Sequence, residues 1–91
     1  AGTHIYSWRS GTVTFAGWSS GYGNFIIVDH GDGFVTRYAH CSKIAVTKGQ
    51  TVSQGQVIGY VGTTGNSTGN HLHFEVKVNG NFVNPRNYLS I

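Results

Sequence analysis

At 91 residues the chain is the size of one small domain, able to bury about 60–65% of the surface its unfolded form exposes, which leaves room for a single compact core. Charged residues are 10% of the chain and Gly fills 14 positions, while 38% hydrophobic and 13% aromatic content excludes a disordered chain. The net charge of +3 comes from six scattered bases against Asp29, Asp32 and Glu75, a spread that argues against a nucleic-acid groove and leaves a mildly basic surface suited to an anionic wall or membrane surface.

Residues 11–16 (GTVTFA) alternate as a strand, and 17–23 (GWSSGYG) read as a turn-rich loop. Residues 25–30 (FIIVDH) are apolar enough for a buried strand, and Gly31-Asp32-Gly33 is a short hairpin connection to a returning strand at 34–40 (FVTRYAH). Short strands are expected at 44–46, 51–52 and 56–61, punctuated by Gly49 and Gly55. Residues 62–70 (GTTGNSTGN) form a loop long enough to shape a rim. Residues 71–78 (HLHFEVKV) are the cleanest strand, expected to lie centrally, and Asn79-Gly80 is a strong two-residue hairpin turn into 81–83. Asn84-Pro85 ends that strand, and 86–89 suits one helical turn.

The expected fold is therefore all-β: an antiparallel sheet of barrel-sandwich type, nearly helix-free, in one domain over residues 1–91. A V-x-x-G-Q pattern at 46–50 and again at 52–56 resembles the barrel-sandwich elements of lipoyl and biotinyl carriers. A carrier needs a modifiable Lys at a hairpin tip; Asn79-Gly80 offers none, and Lys48 sits beside the wrong pattern. The repeat supports fold, not function. The single Cys, Cys41, excludes an internal disulfide, and no run reads as a signal peptide or a membrane span. The absence of Met leads us to expect sequence upstream of Ala1.

Chemistry concentrates on the strand from His71. Alternation places His71, His73, Glu75 and Lys77 on one face and Leu72, Phe74, Val76 and Val78 on the core side. Two His at i and i+2, straight after a Gly-rich loop, can converge on a metal or a reacting group, although an isolated H-x-H is more often a surface strand. Here it is joined by His40, which ends another expected strand beside Tyr38.

The ordered series Gly21-Tyr22-Gly23-Asn24, His30-Gly31, Tyr38-Ala39-His40, Gly55-Gln56, the 62–69 loop, His71-Leu72-His73-Phe74-Glu75 and Asn84-Pro85 resembles the lysostaphin/LytM-type peptidoglycan metallopeptidases. The resemblance runs from about Gly2 to Leu89 and implies a duplicated-hybrid-motif-like β fold. It implies a Zn²⁺-dependent endopeptidase that cuts peptide cross-links of bacterial peptidoglycan, outside the cell or in its envelope. Residue by residue, His73 matches the zinc ligand of the family's H-x-H, and His71 and His40 match its catalytic histidines. Neutral imidazole binds Zn²⁺ at about 2.0–2.1 Å, and three protein ligands leave a position for water.

The chain departs from that pattern in three places, one of them at the metal site. The family's other two ligands come from an H-x-x-x-D motif, and no His here is followed four residues later by Asp. The resemblance sets that motif upstream of Ala1, so the 91 residues alone are expected to bind zinc weakly. His4 and Cys41 stand where relatives often carry Pro and Leu, and His4 is the first substitute ligand to consider.

Other readings compete at single residues. His30 suits a structural role at its turn. Cys41 beside His40 points to the opposite strand face, so a Cys/His nucleophile is disfavoured and a buried thiol expected. Glu75 suits a cross-strand ion pair with a base such as Arg37 better than a general-base role. Tyr22, Tyr38, Trp18 and Tyr60 line a groove or belong to the core. Two further functions stand beside the enzyme: a catalytically inactive relative that binds wall peptide or a partner protein, and a phosphocarrier of related fold.

Overall fold

The computed structural model describes residues 4–61 and 73–83, His73 by its backbone only. Among them there is no helix. Eight strands run β1 (His4–Tyr6), β2 (Gly11–Ser19), β3 (Gly23–Gly31), β4 (Phe34–Ile44), β5 (Thr51–Val52), β6 (Val57–Val61), β7 (His73–Val78) and β8 (Asn81–Val83). They form one antiparallel sheet in the order β1-β6-β4-β3-β2-β5, with β7 added to β4 and β8 to β7. The all-β expectation holds.

The hairpins follow from turn chemistry. Asp32-Gly33 and Asn79-Gly80 each place two residues at positive φ, 52° and 81° in the first, 52° and 84° in the second. That is the geometry which joins right-twisted strands in two residues. Val78 then pairs with Asn81, and Phe34 with Gly31. The two turns touch, Asn79 N–H donating 2.9 Å to the Gly33 carbonyl.

Some boundaries differ from the sequence reading. Residues 17–19 belong to β2 rather than to a loop, because the hairpin ladder continues to Ser19↔Gly23 before the chain turns. β4 runs past His40 to Ile44 because a second partner, β6, takes over its edge. β1 carries no strand signal of its own and forms by pairing with β6. β7 is flanked on both sides, but the hub is β4, which pairs with β3, β6 and β7. The helical turn expected at 86–89 and the rim loop at 62–70 lie outside the described residues.

One face of the sheet closes on a core of Val13, Ile26, Val28, Tyr38, Cys41, Val52 and Ile58, each at most 1% exposed. Burying each aliphatic side chain there contributes about 1.5–3 kcal/mol. Thr36 is buried among them and is satisfied by a polar chain. His30 Nδ1 lies 2.9 Å from the Ser10 carbonyl and donates to it. The tautomer so fixed leaves Nε2 to accept from Thr36 Oγ1 at 2.7 Å. Thr36 Oγ1 is 2.9 Å from the Tyr38 hydroxyl, which accepts the Trp8 N–H at 3.1 Å. This chain pins the β1–β2 connection to β4, and the Trp8 ring meets His30 edge-on at 5.5 Å. His30 thus has the structural role expected of it.

Candidate active site

His40 occupies the most unusual backbone position among the described residues. Three described non-Gly residues have positive φ: Asp32, Asn79 and His40 at 61°. The first two sit in hairpin turns, where Asp and Asn are tolerated. His40 sits inside a strand, at a cost of about 1–3 kcal/mol that the surroundings must offset.

The cause is a β-bulge. Asn24 pairs with Cys41 and Ile26 with Tyr38, so Phe25 alone faces two residues, Ala39 and His40. The extra residue shifts the alternation, returning Cys41 to the face that Tyr38 occupies; both are in the core. The His40 N–H leaves the ladder and donates 2.8 Å to the Tyr22 carbonyl. His40 is part-exposed.

The bulge also marks a fork. β4 pairs with β7 as far as Ala39↔His73 and with β6 from Cys41↔Val61. His40 stands between those two rungs. Val61 and the His73 backbone therefore lie across from the residues on either side of His40. The His73 backbone lies directly across from Ala39, which brings His40 and His73 to the same end of the strand pair. His71 and the 62–70 rim lie outside the described residues, so the convergence of all three histidines remains a proposal.

Two rungs along the β4–β7 ladder from Ala39↔His73, Arg37 pairs with Glu75. Arg37 Nε is 3.5 Å from Glu75 Oε1, with the two side chains 15% and 21% exposed. This is the cross-strand ion pair read from the sequence, and it occupies Glu75. Tyr22 stacks on Phe25 at 4.6 Å and 14°.

The other candidates separate from this site. The Cys41 thiol is fully buried and lies 3.7 Å from the Tyr38 carbonyl; burial pushes its pKa up to about 11. It is the buried thiol expected from the sequence. His4 pairs with Tyr60 on the far side of β6 and packs edge-on to the Tyr6 and Tyr60 rings. Among the described residues no group of three or more His, Cys, Asp or Glu could hold a metal ion, so His4 gains no support as a substitute ligand. Trp18 is 64% exposed, whereas Tyr38 is core. An apolar recess of about 410 Å³ bordered by His4, Trp8, Tyr38 and Phe74 opens on the core side of β4. Among the described residues His4 is its one imidazole.

Residues 1–85 match peptidase family M23. The chain belongs to that family. It is 46% identical over 84 residues to the DD-carboxypeptidase/endopeptidase Mpg of Neisseria meningitidis, covering 92% of this chain and 19% of Mpg. The chain thus spans about a fifth of that relative's length. Among solved structures it superimposes on the catalytic domain of lysostaphin from Staphylococcus simulans with a TM-score of 0.90 and 40% identity, covering 96% of this chain and 70% of that one. A zinc-containing peptidase from Vibrio cholerae gives a TM-score of 0.87 and 43% identity, covering 90% and 25%. The M23 assignment sets aside the phosphocarrier. No described residue of the helix-free sheet contradicts the M23 fold.

What the sequence reading missed is the bulge. Its mark is structural: Tyr38 and Cys41 are both core residues three apart, which strict alternation forbids, and the sequence left Tyr38 open between groove and core.

Proposed function

We propose that this chain is catalytic-domain sequence of a zinc-dependent endopeptidase that hydrolyses peptide cross-links of bacterial peptidoglycan, in the cell envelope or outside the cell. The observation that carries the reading is His40, held in a strained bulge beside the rung of His73, in a chain whose M23 relatives include a named DD-carboxypeptidase/endopeptidase. Strain of this kind concentrates where chemistry needs a side chain aimed away from the regular lattice.

The donor chemistry fits zinc: imidazole nitrogen is a preferred ligand. His73 is the ligand this sequence supplies, and further ligands must come from outside the described cluster, since none there completes a set of three. Zinc, when bound, supplies an electrophile for the scissile carbonyl and acidifies water. His40 and His71 divide the proton work. One neutral imidazole accepts the proton of the attacking water, and the other donates a hydrogen bond to the oxygen on which charge develops. The accepted proton is then available to the leaving amine. The Tyr22 carbonyl holds the His40 N–H at 2.8 Å and so fixes the backbone from which the ring projects.

The test uses the intact protein and a cross-linked dimeric muropeptide. His40→Ala and His71→Ala are expected to lower turnover by about 10²–10⁴-fold with zinc retained, as loss of a positioned acid–base group does. His73→Ala is expected to lose zinc as well. Turnover within twofold of the parent for all three would sink the assignment.

A further inference from the structure

We propose that Arg37 is a positioning residue that ties the His40 bulge to the strand carrying His73. The inference rests on the functional reading of those two histidines, and it concerns how they are held in register.

Four segments meet on one guanidinium. Glu75, two residues beyond His73, is its ion-pair partner at 3.5 Å. The guanidinium carbon lies 4.9 Å from the Phe25 ring centre, 5.2 Å from that of Tyr22 and 5.2 Å from that of Phe82. Phe25 is the residue that faces the bulge, and Tyr22 supplies the carbonyl that holds His40 N–H. Phe82 comes from β8, the strand that backs β7. Arg37 therefore bridges β7 to both segments that shape the His40 backbone.

The geometry suits Arg and not Lys. A planar guanidinium pairs with a carboxylate through its edge while its faces stack on rings, and an ammonium does only the first well. Lys77 is the natural contrast. It stands on β7 two residues from Glu75, pairs across with Val35, and lies 4.7 Å from the Phe82 ring. No contact links Lys77 to Tyr22 or Phe25 among its ring contacts in the described residues.

The test takes the intact, zinc-loaded protein and compares Arg37→Met, Arg37→Lys and Lys77→Met. Readouts are kcat and KM on the dimeric muropeptide, zinc retention against a chelator, and hydrogen exchange of the His40 amide relative to core amides of β3. Arg37→Met is expected to lower kcat about 10–100-fold, the range for a residue that orients a ligand or catalytic group, with KM within twofold. It is also expected to speed relative His40 exchange at least about tenfold as the bulge loosens. Arg37→Lys should fall between, and Lys77→Met should move neither readout. Should Arg37→Met fail to fold, Tyr22→Leu removes the ring that contacts both Arg37 and Phe25 while keeping the backbone carbonyl, and it is expected to speed His40 exchange in the same way.

Unchanged kcat and unchanged relative exchange in the Arg37 variants would overturn the proposal. So would an equal effect from Lys77→Met, which would make the effect one of general sheet stability. If His40→Ala and His71→Ala keep full turnover, the functional reading fails instead, and the exchange measurement still decides whether Arg37 holds the bulge.

Discussion

Tyr38→Phe removes a single oxygen from the largest of the fully buried described side chains, and its cost can be worked from the polar chain it joins. The hydroxyl accepts the Trp8 N–H at 3.1 Å and lies 2.9 Å from Thr36 Oγ1. Phe fills the same volume, so no cavity term enters. Thr36 keeps His30 Nε2 as a partner at 2.7 Å, so its loss is small. Trp8 N–H is left without its acceptor in a part-buried setting, which places the penalty in the lower half of the about 1–3 kcal/mol for an orphaned donor. The expected destabilisation is about 1–2 kcal/mol, which for a domain of this size lowers Tm by roughly 5–12 °C. Thermal unfolding followed by circular dichroism at pH 7.5 measures it, with urea midpoints as a check. Tyr6→Phe is the control: Tyr6 is 56% exposed, and its hydroxyl makes only a long contact of 3.4 Å to His4 Nδ1. If Tyr38→Phe melts with Tyr6→Phe and the parent, the polar chain does not hold the β1–β2 connection and the reasoning is wrong.

Three further outcomes are expected. Gly59→Ala puts a methyl 2.8 Å from the Lys43 carbonyl oxygen and 3.2 Å from Ile26 Cδ1, so it should cost about 1–3 kcal/mol through strain and backbone shift. Gly17→Ala meets only Phe15 Cζ at 4.0 Å and should stay within about 0.5 kcal/mol; equal urea midpoints for the two would refute the packing. His30 titrates below its ordinary 6.5, chiefly because burial disfavours the imidazolium. Its contribution to stability is therefore complete above pH 6.5 and lost as pH falls through the lower folded value, so urea midpoints should drop on acidification in the parent and drop less in His30→Gln. Cys41, with its pKa pushed up to about 11 by burial, should react with a thiol reagent at pH 8 at least about 100-fold more slowly in the native protein than in denaturant, because the thiolate is both scarce and enclosed; comparable rates would show an exposed thiol.

How much was legible in the sequence depends on the range of the interaction that decides each feature. Asn79-Gly80 and Asp32-Gly33 declare their turns because positive φ at both residues is a local demand that few side chains meet. The Arg37–Glu75 pair was legible only as a charge match, one of three acids with a base on another expected strand; the β4–β7 pairing that brings the two together is long-range. By contrast, β1 owes its existence to the free edge of β6, and β4 owes its length to changing partner at His40; neither is encoded in a local pattern.

The bulge at His40 falls between these cases, and it explains why the candidate site resists reading from periodicity alone. Strict alternation would put Tyr38 and His40 on one face and Cys41 on the other. The protein needs Tyr38 and Cys41 together in the core, with an imidazole between them that does not share it. An added residue at positive φ is the economical solution, because it resets the phase in one step and frees one N–H for a partner outside the ladder. Tyr22 supplies that partner, and Tyr22 is held by Phe25 and Arg37. The strain at His40 is thus offset by contacts from segments 15 to 18 residues earlier in the chain, which no window around residue 40 contains.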